Sequence, residues 1–199
     1  MSERHADSAG GRLGMWLFIC TEILLFGGLF LLYAVYRFRH PGEFHQASLE
    51  LNRVHGTLNT AVLISSSLTV ALAIHSLAEG LSRRAALFLG ITLSGGLIFL
   101  VVKGFEWGEK FAHGLYPGSP RLLAGPQGEL LYFGLYFMMT GLHALHVLVG
   151  LGVLAVVLAG LLRGKVSRQR PIQLENAGLY WHLVDVIWIF LFPLFYLIT

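Results

Sequence analysis

Long apolar runs separated by short polar segments dominate the chain. Four of these runs hold 18 to 24 residues with at most one acidic or basic side chain each, at 13–36, 57–78, 85–102 and 176–199. About 20 apolar residues in an α-helix cross a hydrocarbon core roughly 30 Å thick. Isolated strands would leave their backbone groups unpaired in lipid. These runs therefore predict transmembrane helices.

A fifth run, residues 130–162, holds 33 uncharged residues. Two spans and a turn would not fit in this length, so we predict one tilted helix that protrudes from the membrane. The predicted fold is an all-α bundle of five transmembrane helices in one domain, 1–199. The predicted spans are 13–37, 55–79, 85–108, 129–162 and 176–198.

Composition supports a membrane location. Hydrophobic residues make up 55% of the 199 residues and charged residues 13%, about half of what soluble domains carry. Mean hydropathy is +0.68. The aromatic content of 13% argues against disorder, and a single cysteine, Cys20, excludes a disulfide framework within the chain. The 14 Lys and Arg form no basic stripe, so we expect no nucleic-acid partner.

The basic residues predict an orientation. With five spans, one face would hold Arg4, Arg12, Arg83, Arg84, Arg163, Lys165, Arg168 and Arg170, and the other Arg37, Arg39, Arg53, Lys103, Lys110 and Arg121. The dense group at 163–170 directly follows a span. The positive-inside rule thus places the N-terminus in the cytoplasm and the C-terminus outside. The segment 103–129, with three prolines, is predicted to be an ordered external excursion.

Ionisable side chains inside the predicted spans are candidates for function. Glu22 lies in the first span, where it would handle protons or face lipid, or act as a hydrogen-bonded structural group. His143 and His146 share a helical face, and with His182 they could form a haem or metal cage. Hydrogen bonding across helices is the favoured interpretation, because no Glu-x-x-His or other ligand set accompanies them.

The last span combines aromatic and ionisable residues. Trp181, Asp185 and Trp188 share one face, and His182 stands three residues before Asp185, so we predict a structural His182–Asp185 pair. In the third span Glu106 is predicted near the external interface, paired with Lys103 or Lys110 or simply solvated.

Six motifs occur in a fixed order: TEILLF, LNTAVLISSSLT, HSL, EW, TGLHALHVLVG and YWHLVDVIWIFLF. This set resembles subunit III of the haem-copper respiratory oxidases, the cytochrome c oxidase subunit 3 family. The resemblance runs from about residue 14 to residue 198, and the last two motifs are its most specific parts. Many family members have seven spans. This sequence looks like the five-span bacterial form, which begins at the third span of the longer form. In the longer form a lipid-filled cleft separates the first two spans from the other five, so this cleft is in doubt here.

The resemblance implies a non-catalytic accessory subunit that stabilises the catalytic subunit and supports proton uptake in aerobic electron transport. It implies no haem or copper in this chain, with both in partner subunits, and bound phospholipid. Subunit I would be the main contact, with subunit II and possibly IV nearby, in the bacterial inner membrane. Alternatives are a nitric-oxide-reductase-associated subunit of the same family and an independent haem- or metal-binding redox protein.

Particular residues match the family's polar positions. Glu22 matches its membrane-embedded glutamate as found in cytochrome c oxidases, whereas the quinol-oxidase form carries a different acidic or polar residue there, which favours cytochrome c as donor. Structural roles are implied for His143, His146, Glu175, His182, Asp185 and Trp188. The residues agree with a non-catalytic role. A catalytic subunit needs several histidines for haems and copper, which five spans with these spacings do not provide, and the electron-entry subunit needs paired cysteines, which a chain with one cysteine lacks.

Overall fold

The computed structural model describes the backbone of residues 2–198, and the side chains of these residues except 2–9 and 12. The side chains of Arg4 and Arg12 of the orientation argument, and residues 1 and 199 at the two ends of the predicted domain, lie outside this description. Seven helices follow one another: α1 Ser2–Arg39, α2 Pro41–Leu49, α3 Arg53–Ala78, α4 Ser82–Ala112, α5 Pro120–Leu123, α6 Gln127–Leu162 and α7 Ile172–Tyr196. Within 2–198 the only β feature is an isolated bridge between Ser167 and Arg170.

Five of these helices are long and apolar enough to cross a membrane, which confirms the five-span prediction. They are α1 (its apolar part being Leu13–Arg39), α3, α4, α6 and α7. The run 130–162 lies in one continuous helix of 36 residues, as predicted. At 1.5 Å per residue α6 is about 54 Å long, so it exceeds the thickness of the hydrocarbon core.

The predicted excursion 103–129 is wrong in its first part. Helix α4 continues to Ala112, because Lys103, Glu106 and Lys110 recur at helical spacing on a buried face. Only 113–126 forms the connection, and it contains α5, whose first turn is capped by the side chain of Ser119. Lys103 is therefore a residue of the bundle interior and not a loop charge that sets orientation.

The short helix α2 anchors the start of α6. The Glu43 carboxylate accepts a hydrogen bond from the backbone N–H of Gly128, which has no intrahelical partner in the first turn. His40 lies 3.2 Å from the same carboxylate. The hydrogen bond from His40, then that from Gly128, lowers the pKa of Glu43.

Helix α7 lies at the centre of the bundle, in contact with α1, α3 and α6. In its most apolar stretch 56% of the residues are buried, against 11% in α1. Trp181 of α7 fits where neighbouring helices carry glycine, since a Cβ at Gly96 or Gly150 would lie 2.7 or 3.0 Å from its ring. Close packing around α7 thereby positions the polar side chains described next.

Candidate functional site: polar clusters between the helices

A buried polar cluster joins α4, α6 and α7; we call it the Lys103 cluster, and it consists of Lys103, Glu106, Tyr136 and Tyr196. The Lys103 ammonium lies 3.2 Å from Oε1 of Glu106. It also donates hydrogen bonds to the hydroxyls of Tyr136, at 2.9 Å, and Tyr196, at 2.7 Å. Both hydroxyls in turn donate to Oε1 of Glu106, Tyr196 at 2.6 Å. One carboxylate oxygen thus collects three donors from three helices.

The Lys103 cluster is shielded from the surroundings of the bundle. The side chains of Lys103 and Glu106 are 2% and 0% exposed. The ammonium also lies 4.6 Å from the ring centroid of Tyr136 and 5.3 Å from that of Trp188, within cation–π range. Glu106 pairs with Lys103, one of the two partners predicted for it, and the alternative of a solvated surface carboxylate is wrong. Lys110 instead donates to the backbone carbonyl of Glu50.

Glu22 and His146 form a second pair, between α1 and α6. Nε2 of His146 lies 3.0 Å from Oε2 of Glu22, and the two side chains are 12% and 13% exposed. Nδ1 of His146 lies 2.7 Å from the carbonyl of Leu142, which can only accept a hydrogen bond. Nδ1 therefore donates to that carbonyl, and Nε2 is the ring nitrogen that faces the Glu22 carboxyl group. This is the hydrogen bonding across helices that the sequence favoured for His146.

His143 has a different environment from His146. Its ring is fully buried, with its centroid 5.4 Å from that of Phe99 and 5.2 Å from that of Trp188. Neither ring nitrogen has a hydrogen-bond partner among the described residues. The aromatic rings hold His143 in place, and cross-helix hydrogen bonding is not its role in this arrangement.

The predicted His182–Asp185 pair is wrong. Nδ1 of His182 lies 2.7 Å from the hydroxyl of Ser67 on α3. Asp185 is 3% exposed, and no ion pair joins it to His182 in the part of the chain that the structure describes. His182 therefore has the Ser67 hydroxyl as its partner and not the Asp185 carboxylate. Residue spacing along one helix does not indicate a partner on a neighbouring helix.

Three other polar or aromatic side chains of α7 remain to be placed, Glu175, Trp181 and Trp188. The indole N–H groups of Trp181 and Trp188 donate to Ser66 and Thr60 of α3, each at 3.0 Å, which supports a structural role for both rings. Glu175 lies in the first turn of α7, where the helix dipole favours a negative charge.

The three histidines of the possible cage do not converge, since His146 binds Glu22, His182 binds Ser67 and His143 packs among aromatic rings. Among the described residues no group of three or more His, Cys, Asp or Glu side chains could hold a metal ion. The structure thus brings the predicted polar residues into separate helix–helix contacts.

Sequence reasoning missed Tyr136 and Tyr196 as members of a site and assigned Lys103 to a loop. One signal was available: Lys103 stands three residues before Glu106 at the end of an apolar run, a spacing that places both on one helical face. The tyrosines are 33 and 93 residues from Lys103, and their arrival at the same carboxylate depends on helix packing.

A family model described as cytochrome c oxidase subunit III matches residues 3–199. Similar proteins include the cytochrome bo(3) ubiquinol oxidase subunit 3 of Pseudomonas aeruginosa, 30% identical over 97% of this chain and 88% of that protein. The cytochrome c oxidase subunit 3 of Pisaster ochraceus is 34% identical over 95% of this chain and 70% of its own length. The heme-copper oxidase subunit I+III of Aeropyrum pernix is 34% identical over 94% of this chain, which spans only 22% of that longer protein.

Proposed function

Because the chain belongs to the cytochrome c oxidase subunit III family, we propose that it is the non-catalytic accessory subunit of a haem-copper oxidase and stabilises the catalytic subunit. The observation that carries this proposal is the family match over 3–199, nearly the whole chain. The geometry supports it, because Lys103 pairs with Glu106 in the bundle interior and Glu22 pairs with His146 between α1 and α6.

The partners and cofactors of this proposal come from the relatives. The Aeropyrum pernix protein is named as subunits I and III in one chain, so we assign subunit I as the main partner. Subunits II and IV would complete the complex, with haem and copper in the partners and phospholipid bound to this chain. The protein is a multi-pass membrane protein, and we place it in the bacterial inner membrane with a cytoplasmic N-terminus.

The proposed role in proton uptake concerns the end of the bundle that this orientation makes cytoplasmic. There His75 and Glu79 lie 3.3 Å apart at the end of α3, with side chains 70% and 51% exposed. Exposed groups that exchange protons with water would buffer the region around the entrance of a proton path in the catalytic subunit. The oxidase reaction itself would take place in the catalytic subunit.

We assign cytochrome c as the electron donor of the complex. The relatives include both a cytochrome c oxidase subunit and a ubiquinol oxidase subunit. The glutamate at position 22 is the feature that favours cytochrome c. Oxygen consumption by the purified complex with reduced cytochrome c, compared with a ubiquinol, tests this assignment.

Deletion of this chain from the oxidase tests its accessory role. The remaining complex is expected to keep its haem absorption spectrum and initial turnover but to lose activity sooner during sustained turnover. Mass spectrometry of the native complex, purified through a tag on this chain, should find a haem-copper catalytic subunit. A tagged chain that purifies without such a subunit would contradict the proposal.

A further inference from the structure

A narrow cleft opens at one end of the bundle, between the last turns of α3 and the segment that leads into α7; we call it the α3–loop cleft. Its walls are apolar side chains, namely Ile74, Leu77, Ala78, Pro171 and Leu174. Arg168 and Glu175 are the charged residues of its lining. The cleft has a volume of about 250 Å³, several times the roughly 30 Å³ that one water molecule occupies.

Arg168 belongs to a basic patch at this end of the bundle. The segments 79–84 and 163–175 both lie there, since Ile74 near the end of α3 packs against Gly178 near the start of α7. The basic side chains of the two segments are all exposed: Arg83, Arg84, Arg163, Lys165, Arg168 and Arg170. None of them forms an ion pair with another described residue. With Glu79 and Glu175 as their only acidic residues, the segments carry an excess of four positive charges.

The segment that carries Arg168 is anchored to the end of α6. The backbone N–H groups of Lys165 and Val166 both donate to the carbonyl of Gly160, at 2.8 and 3.2 Å. The side chain of Val166 is 1% exposed. The N–H of Arg170 donates to the carbonyl of Ser167 at 2.8 Å, which closes a tight turn around position 168. A ligand of Arg168 would therefore bind without the cost of ordering a loose loop.

The position of the cleft decides which anion fits it. Helices α3, α6 and α7 are long and apolar enough to cross a membrane, so their ends lie where lipid headgroups meet the hydrocarbon core. A guanidinium binds phosphate through two parallel hydrogen bonds. Inorganic phosphate would use only the arginine, whereas a phospholipid also lays its methylene groups against the apolar walls.

We propose that the α3–loop cleft binds an anionic phospholipid, with its phosphate on the guanidinium of Arg168 and an acyl chain against Ile74 and Leu174. This inference rests on the phospholipid of the proposed function and names its site and its class. Glu175 repels the phosphate, and the excess of basic side chains in the patch outweighs this repulsion. The same excess favours an anionic headgroup over a zwitterionic one.

Lipid titration of the full-length chain tests the class of ligand. The chain is purified in detergent and titrated with dioleoyl phosphatidylglycerol or with dioleoyl phosphatidylcholine, and bound lipid is counted by native mass spectrometry. We expect the Kd for the anionic lipid to be lower by about tenfold or more. Equal Kd values would overturn the proposal. Displacement of the lipid by millimolar inorganic phosphate at constant ionic strength would also overturn it, because it would show a simple anion site.

Three variants test the site itself. Arg168→Gln removes the charge, and Ala78→Trp fills the cleft from an exposed position without changing the charge. Each is expected to raise the Kd for phosphatidylglycerol by about fivefold or more. Arg53→Gln, the matched control, removes an exposed arginine at the other end of α3 and should leave the Kd within twofold of wild type. An unchanged Kd in A78W would place the lipid outside the cleft and overturn the proposal.

The comparison of the two arginine variants also separates this inference from the proposed function. If R168Q and R53Q bind phosphatidylglycerol alike, net charge alone attracts the lipid and the inference fails. The proposed function survives that result when the tagged chain still purifies with a haem-copper catalytic subunit. If the tagged chain purifies without such a subunit, the proposed function fails, whatever the lipid titration shows.

Discussion

The ammonium of Lys103 lies 3.2 Å from the carboxylate of Glu106, one helical turn further along α4, and both side chains are almost completely buried. Taking two charges out of water costs several kcal/mol per ion, which their attraction offsets only when the remaining hydrogen bonds are made. Tyr136 and Tyr196 make such bonds with the ammonium and with Oε1 of Glu106, while Oε2 has no hydrogen-bond partner among the described residues. The Lys103 cluster therefore ties the orientations of α4, α6 and α7 to one another.

Removal of one member of this pair should be more harmful than removal of both. We expect Lys103→Met or Glu106→Leu to destabilise the protein by about 3–5 kcal/mol, because each leaves an uncompensated buried charge. The double variant should lose less than either single variant. Thermal unfolding of the purified protein in detergent measures this. The control is Glu79→Gln, which breaks an exposed pair and should cost about 1 kcal/mol or less. Additive effects of the two substitutions would show that the pair is not coupled.

Substitution of Glu22 tests whether its pair with His146 serves function as well as packing. Glu22→Gln keeps a hydrogen-bonding group 3.0 Å from Nε2 of His146 but cannot carry a charge. We expect normal assembly of the complex and normal initial turnover, with a changed rate of inactivation during prolonged turnover. The same time course as wild type would restrict Glu22 to a structural role.

Glycine at position 96 is required by the ring of Trp181. A Cβ there would lie 2.7 Å from both Leu151 and Trp181, and Trp181 is fully buried and hydrogen-bonded to Ser66. We expect Gly96→Val to cost about 1–3 kcal/mol through overpacking. A Cβ at Gly90 on the same helix would have no neighbouring atom within 4 Å, so Gly90→Ala should leave the stability unchanged or raise it slightly. Comparison of their thermal unfolding midpoints measures the difference, and equal midpoints would contradict close packing at Gly96.

Acid should loosen the contact between α2 and α6. The pKa of Glu43 is lowered by hydrogen bonds from His40 and from the backbone of Gly128, so this carboxylate stabilises the folded state above its unfolded pKa, about 4.3. That contribution is lost as pH falls through the lower folded pKa. Hydrogen exchange of the peptide containing Gly128 should therefore show less protection at low pH, after correction for the intrinsic exchange rate.

The matched variants for this test are Glu43→Gln and Glu109→Gln. Glu43→Gln should abolish the acid-dependent part of the change in protection. Glu109→Gln removes an exposed carboxylate of α4 and should leave it unchanged. An unaltered pH dependence in Glu43→Gln would show that another group is responsible.

Because His143, His146 and His182 lie apart, we predict that the single chain holds no haem or metal cofactor. The ring of His143 contacts Phe99, that of His146 binds Glu22 and that of His182 binds Ser67. We expect the purified single chain to show no Soret band and no stoichiometric transition metal in elemental analysis. A Soret band retained after stringent purification, and lost in His143→Phe, would contradict the accessory role.

Part of the polar interior could be predicted from the sequence. The Lys103–Glu106 pair follows from a three-residue spacing on one helix. The Glu22–His146 contact, 124 residues apart, and the Ser67–His182 contact, 115 residues apart, could not be derived in this way. The predicted His182–Asp185 pair shows why: spacing indicates that two side chains share a face but not which neighbouring helix offers the better partner.

By itself the sequence determined the five spans, the all-α class and the family resemblance. Transfer of apolar residues into lipid is roughly additive along a helix, and backbone hydrogen bonds in each span close within that span. Only the tertiary structure decided the partners of the ionisable residues and the extension of α4 to Ala112. Those features depend on how each helix is rotated against its neighbours, which is determined by contacts such as Trp181 with Gly96 and not by hydrophobicity.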